Sequence, residues 1–378
     1  MIIKLENFLE EVSKKTTQNN QYPVLTSSKN GLFLQDDYFN KRVASKDNTA
    51  YKIIKRGEFT YRAMSDTGKF YPNMLECAEI GIVSPAYPVF RISNDIILPG
   101  YLKYYFRSNS FQRAIISFAQ GSTRVSMKFA KMKTISIDLP SRPDQQKIIQ
   151  KLDLVRSQIE TKTKELMHLN DLIKARFVEM FGDIDRYISI KDSGLFIADG
   201  NYSSKYPRSS EFTSFGVPFI RANNIKDNTV VDDDMYFISP EKHDELKKGH
   251  LLHGDILVTT RGNIGQLGIV PQKHNDSNIN AQIVLLRCRD TKYLPEYLLF
   301  ALQTVDVKKQ FIRQQTGTAL KQLPVKHLEK ISFIDAPVEL QNQFANLAIQ
   351  VDKSKFAIQK SLEKTQLLFD SLMQEYFG

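Results

Sequence analysis

The segment best suited to chemistry is Gly254-Asp255-Ile256-Leu257-Val258-Thr259-Thr260-Arg261-Gly262-Asn263-Ile264-Gly265. Its residue types predict a turn, a buried strand and then a tight loop, in which Gly262 and Gly265 permit positive φ and close approach of a partner's backbone. Arg261 and Asn263 project from that loop. Arginine pairs bidentately with guanine O6/N7 and asparagine with adenine N6/N7, and both types also hold phosphates, so the pair suits contact with nucleic acid. An ordinary β-turn with Arg261 in a salt bridge would use the same residues. A second polar cluster, Arg221, Asn223 and Asn224, follows Pro218-Phe219-Ile220 and suits either base contacts or an Asx-rich turn.

Two further loops match each other: Gln120-Gly121-Ser122-Thr123-Arg124, with Lys128 nearby, and Gln315-Thr316-Gly317-Thr318-Ala319, with Lys321 nearby. Their backbone N–H groups, hydroxyls and cations suit phosphate. As simple loops they would return the chain toward the next helix. The stretch Gly57-Glu58-Phe59-Thr60-Tyr61-Arg62 opens like Gly254-Asp255 but diverges through Ala63 to Lys69 and Phe70, so corresponding loops with different residues predict different targets. Signals for catalysis are scarce. The chain has no GxxxxGK[ST], GxSxG or HExxH pattern. His250 and His253 form an HxxH without a third ligand at zinc-like spacing, and Asp232-Asp233-Asp234 reads as a solvated turn, so no metal site is assigned.

The elements that must position these loops occur twice. Leu98-Pro99-Gly100-Tyr101-Leu102 returns as Leu294-Pro295-Glu296-Tyr297-Leu298, and Glu179-Met180-Phe181-Gly182 returns as Glu375-Tyr376-Phe377-Gly378, each 196 residues later. Each unit begins with a mixed region, roughly 1–140 and 183–335, where short β-like runs alternate with Gly, Asn and Asp. Helical patches lie near Leu98 to Ala119 and Leu294 to Gln314. Each unit ends in a long polar helix that opens after Pro143 or Pro337. Apolar residues at Ile148, Leu152, Val155, Ile159, Leu166, Leu169, Ile173 and Met180 form a 4-3 seam in the first helix. Phe344, Leu347, Val351, Ile358, Leu362, Leu368, Leu372 and Tyr376 repeat it in the second. Two similar units most simply pack about a pseudo-twofold axis, with antiparallel long helices and domains at opposite ends. A helix of about 36 residues spans roughly 54 Å, or about 16 base pairs of B-DNA. Two amphipathic helices, each packed on its own domain, are the other reading.

The composition, 42% hydrophobic and 25% charged over 378 residues, is that of a folded protein with room for two or three domains. Cys77 and Cys288 read as isolated thiols. No signal peptide or run of about 18 apolar residues is evident, so the expectation is a cytoplasmic protein away from the membrane. The net charge is +10, and the two long helices carry only +1 of it. The mixed regions therefore hold +9, the footprint expected for a polyanion partner.

These features resemble the specificity (S) subunit of type I restriction-modification systems. The resemblance covers essentially the whole chain, through the two-unit layout, Gly254 to Gly265, Asp199-Gly200-Asn201-Tyr202, Gly216-Val217-Pro218-Phe219-Ile220-Arg221 and the Pro-then-coiled-coil endings. The first unit lacks the RGxIG loop and is similar to a different recognition-domain subtype. The resemblance implies a mixed α/β (α+β) fold with target recognition domains at 1–142 and 183–337, and spacer helices at 143–182 and 338–378. It implies that each domain reads half of a bipartite, asymmetric double-stranded DNA site. Two methyltransferase subunits would bind S-adenosylmethionine and methylate adenine N6, while motor-nuclease subunits would use ATP and Mg. This chain would bind no cofactor and perform no catalysis. Two alternatives are the DNA-recognition subunit of a related methyltransferase-nuclease outside type I, and a non-catalytic coiled-coil scaffold for proteins or acidic ligands.

Overall fold

The computed structural model describes every residue except 39–46, 118–124, 201 and 203. The chain divides into two compact units, residues 1–163 with 360–378, and residues 164–359. Each is a mixed α+β body that includes part of both long helices, Arg142–Phe181 and Val338–Phe377. Among the described residues, no helix is long and apolar enough to cross a membrane.

In the first unit, strand Ile2–Lys4 pairs antiparallel with Ser136–Asp138. A four-stranded sheet runs in the order Leu9–Glu11, Val89–Ile92, Phe59–Thr60, Asn73–Met74. Helix Pro99–Tyr105 begins at a proline whose fixed φ suits the first helical position. Its tyrosines enter a core rich in aromatic rings, where Phe106 meets Phe111 edge-on at 4.8 Å and Phe90 at 6.0 Å.

The second unit repeats this plan. Tyr187–Ser189 pairs with Ser332–Ile334, and helix Pro295–Ala301 starts at the equivalent proline. Its six-stranded sheet has the order Phe196–Asp199, Ile283–Arg287, Ile256–Thr259, Leu267–Ile269, Asn228–Val230, Ile225–Lys226. Strand Ile256–Thr259 is hydrogen-bonded on both sides and fully buried, which explains its continuous apolar run. A separate three-stranded sheet joins Tyr236–Ile238, Val217–Ile220 and Asn278–Ile279. Cys288 packs in the main core, where burial pushes its thiol up to about 12.

Within each unit the beginning of one long helix packs beside the end of the other, so the pair is antiparallel. Leu152 shares the first unit's core with Phe369, Leu372, Met373, Tyr376 and Phe377. In the second unit Leu169, Ile173, Phe177 and Phe181 share a core with Phe344, Leu347 and Val351. The last phenylalanine of each helix caps an equivalent tyrosine: Phe377 lies 5.0 Å from Tyr101, and Phe181 lies 4.9 Å from Tyr297. Two buried glutamines tie down the opposite helix ends. Gln145 Oε1 accepts from Leu98 N at 2.8 Å, and Gln341 Oε1 accepts from Leu294 N at 3.1 Å.

One expected seam residue is displaced. Leu368 is 49% exposed, while Phe369 joins the core. The heptad runs through Val351, Ile358, Thr365 and Leu372, alternating with Leu362, Phe369 and Tyr376, so position 368 falls outside the stripe. Thr365 is buried and returns its hydroxyl to Ser361 O at 2.8 Å, so it continues the seam despite its polarity. Val155 is buried, whereas Ile159, Leu166, Ile358 and Leu362 are half-buried.

Candidate nucleic-acid interface

In the second unit, the turn that opens the key segment is built on a buried acid. Asp255 accepts Leu252 N at 2.8 Å and pairs bidentately with Arg287 at 2.7 and 2.8 Å, setting the entry into strand Ile256–Thr259. The loop beyond is stapled to the strand: Gly265 N donates to Thr259 O at 2.9 Å, and Thr259 Oγ1 donates to the Asn263 carbonyl. Arg261, Gly262 and Asn263 are exposed. Gly262 has φ +72°, with open space around the place of a Cβ. At Gly265, φ is +81° and a Cβ would press on Phe311 at 3.3 Å, so this glycine lets the loop close on helix Val305–Arg313.

A second loop lies alongside. Thr316 and Gln322 exchange backbone hydrogen bonds of 2.8 and 2.9 Å, and Leu323 N donates to Thr260 O at 2.9 Å. Gln322 thereby bridges to Arg261, while Thr318 and Lys321 remain exposed at the tip. Tyr202 adds an aromatic surface, with the Arg261 guanidinium 5.5 Å from its ring centre. Burial pushes the Tyr202 phenol up, against the opposing pull of Arg261. Tyr202, Arg261, Gln322 and Asp199 line a recess of about 220 Å³, and Lys248 lies 3.2 Å from Asp199. A cation, an amide and a ring converging in this way suit stacking and hydrogen bonding to a base, and Lys321 suits phosphate.

The Arg221 cluster divides. Asn224 is buried: its Oδ1 accepts from Arg221 N at 3.0 Å, and its Nδ2 donates to Asp233 O at 2.8 Å. It forms the Asx-rich turn and is a correction to its expected role in base contact. Arg221 lies 3.4 Å above the Tyr236 ring and 2.9 Å from Asp234, committed to its own unit, while Asn223 is exposed.

The first unit has the same joint with different residues. Met127 N donates to Ala63 O at 2.9 Å, and Val125–Ser126 pairs with Met64–Ser65. In this register Met64 stands where Arg261 stands. Glu58 caps Lys55 N at 2.8 Å, a smaller version of the Asp255 turn. Arg62 and Lys69 line a groove of about 960 Å³ with Thr26, Ser65, Thr67 and Tyr87. Burial pushes the Tyr87 phenol up, with Arg62 pulling it down. Lys128 is exposed just before helix Phe129–Met132. Ser122, Thr123 and Arg124 lie outside the described residues. Sequence reasoning passed over Gln322, Lys248 and Tyr87: Gln322 meets Arg261 through long-range backbone pairing, Lys248 meets Asp199, and Tyr87 lines the groove with Arg62.

Two α+β units, each presenting a polar loop pair and joined through antiparallel helices, define a duplicated recognition scaffold. Residues 4–170 and 196–367 match the type I restriction modification DNA specificity domain, and the chain belongs to that family. Over 368 residues it is 23% identical to the type I restriction enzyme MjaIX specificity subunit of Methanocaldococcus jannaschii, covering 86% of this chain and 82% of the relative. The putative type I restriction enzyme MjaX specificity subunit of the same organism is 27% identical over 169 residues, covering 43% of this chain. The type I restriction enzyme EcoKI specificity subunit of Escherichia coli K12 is 22% identical over 301 residues, covering 74% of this chain. The matches span only 39% and 64% of these last two relatives. The fold is similar to that of a type I restriction-modification S subunit from M. genitalium, with a TM-score of 0.61 at 13% identity, covering 100% of this chain and 96% of that one.

Proposed function

We propose that this chain is the non-catalytic, cytoplasmic specificity subunit of a type I restriction-modification complex. Each unit reads one half of a bipartite, asymmetric site on double-stranded DNA. The observation that carries this reading is the repeated joint with changed contents: Leu323 N to Thr260 O in one unit and Met127 N to Ala63 O in the other hold equivalent loops that present Arg261 and Met64. A constant frame with variable side chains is what two different half-sites require. The excess positive charge outside the long helices supports a polyanion partner.

Partner subunits supply the chemistry in this reading. Two methyltransferase subunits bind S-adenosylmethionine and methylate adenine N6, and motor-nuclease subunits use ATP and Mg. Exposed apolar side chains on the long helices give these partners a docking surface: Leu154 and Leu367 in the first unit, and Val178 and Phe356 in the second. Mapping methylated adenines across the genome with and without the gene tests the proposal. The expected result is loss of methylation at one split, asymmetric sequence. An unchanged map would refute it.

A further inference from the structure

The small sheet of the second unit brings together three side chains that the sequence keeps apart. Helix Pro240–Glu245 carries His243, which is buried. Backbone pairing of Leu251 N with Ser277 O, Asp276 N with Leu251 O and Ile279 N with Gly249 O sets His250 and Asp276 beside it. One ligand atom from each of His243, His250 and Asp276 lies within 4.8 Å of the others. His253, the other half of the HxxH, turns its Nδ1 to Val270 O at 3.0 Å.

We propose that His243, His250 and Asp276 bind a divalent transition-metal ion, with zinc the best fit to two imidazoles and a carboxylate. The outer hydrogen bonds set both rings for this role. His243 Nδ1 is hydrogen-bonded to Asn278 Oδ1, leaving Nε2 to face Asp276 Oδ1 at 3.4 Å. His250 Nε2 is hydrogen-bonded to Leu246 O at 2.6 Å, leaving the lone pair on Nδ1. A ligating histidine typically donates its second N–H to an oxygen in this manner. Tetrahedral zinc, with bonds of about 2.0–2.1 Å, places neighbouring ligand atoms about 3.3 Å apart, matching the His243–Asp276 spacing.

The electrostatics point the same way. With its proton on Nδ1, His243 directs a lone pair at a carboxylate oxygen, and a second imidazole stands with its ring centre 4.4 Å away. One dication satisfies all three ligands and leaves a position for water. Asn278 is fully buried and its Nδ2 has no hydrogen-bond partner, so the amide's one bond is the one that orients His243. The ion would clasp helix Pro240–Glu245 to the 246–254 segment that leads into Asp255.

Tag-free full-length protein, treated with chelator and dialysed, can be titrated with Co²⁺ and then Zn²⁺. The expected result is one Co²⁺ per chain with visible absorption of a tetrahedral ion, displacement by Zn²⁺ and a higher Tm with zinc. Asp276→Asn removes an exposed carboxylate in a conformation that asparagine tolerates, so it tests the site without emptying the core. It should weaken Co²⁺ binding by at least about tenfold and abolish the zinc-dependent Tm shift. His250→Gln should do the same. Absence of saturable Co²⁺ binding, or undiminished binding in both variants, would overturn the proposal.

Discussion

The two units solve the same positioning problem at different depths. In the second unit, Asp255 is 1% exposed and grips Arg287 bidentately, and the following strand is enclosed on both sides by neighbours. In the first, Glu58 is half-buried and caps only Lys55 N before the two-residue strand Phe59–Thr60. Yet the loop joint beyond is the same, through Met127 N to Ala63 O or Leu323 N to Thr260 O. The backbone scaffold is therefore separable from the side chains it displays, because main-chain bonds do not depend on side-chain identity.

Removing residues 183–378 breaks the comparison most severely. A fragment ending at Gly182 loses Phe369, Leu372, Met373, Tyr376 and Phe377 from the first unit's core. It retains Ile173, Phe177 and Phe181, which occupy the equivalent places in the second unit. Phe181 of an identical fragment can cover Tyr101 as Phe377 does, so the fragment should form an antiparallel dimer. Lys151, which donates to Tyr376 OH at 3.1 Å, would meet Met180 at that place and lose the bond. The dimer should direct a partner methyltransferase to a palindrome built from the first half-site. Sedimentation and methylation sequencing test this; a folded, inactive monomer, or retained methylation of the original asymmetric site, would defeat the symmetric-repeat account.

A matched pair of substitutions sharpens the contrast in the turns. Asp255→Ala leaves Arg287, only 20% exposed, without its buried partner and should cost about 3–5 kcal/mol. Glu58→Ala removes a single bond at a wetter site and should cost about 1 kcal/mol. Urea unfolding of each variant against the parent gives the difference. Equal losses would mean that the two acids carry the same structural weight despite their different burial.

The repeat, the alternation of short strands and helices, and the antiparallel helix pair were legible because they depend on spacing and on prolines at helix starts. The expected seam fails at Leu368 because Thr365, whose hydroxyl is satisfied within its own helix, holds the heptad position that brings Phe369 inward. Arg261 and Asn263 could be singled out from the Gly-rich loop. Gln322 and Tyr202 could not be joined to them, since each lies about 60 positions from Arg261 in the chain with several strands between. Asn224 had the right chemistry for base contact, but burial assigned its amide to the backbone.

A further pair of substitutions tests whether the changed loop contents set specificity. Arg261 is exposed, held by its backbone bridge to Gln322 and placed near the Tyr202 ring, so its side chain can be removed without opening the core. If it contacts a base, Arg261→Ala should weaken specific binding by about 1–3 kcal/mol and relax discrimination at that position of the second half-site. Met64→Ala, at the equivalent place, removes no charge and should leave the second half-site unchanged. Lys321→Ala supplies the phosphate control: it should weaken binding to all sequences alike and reduce the salt slope by about one. Binding measured across salt concentrations separates these outcomes because base readout changes the sequence ranking, whereas phosphate contact changes the slope. An Arg261→Ala protein with unchanged affinity, sequence preference and slope would confine the loop to a structural turn and move recognition elsewhere in the unit.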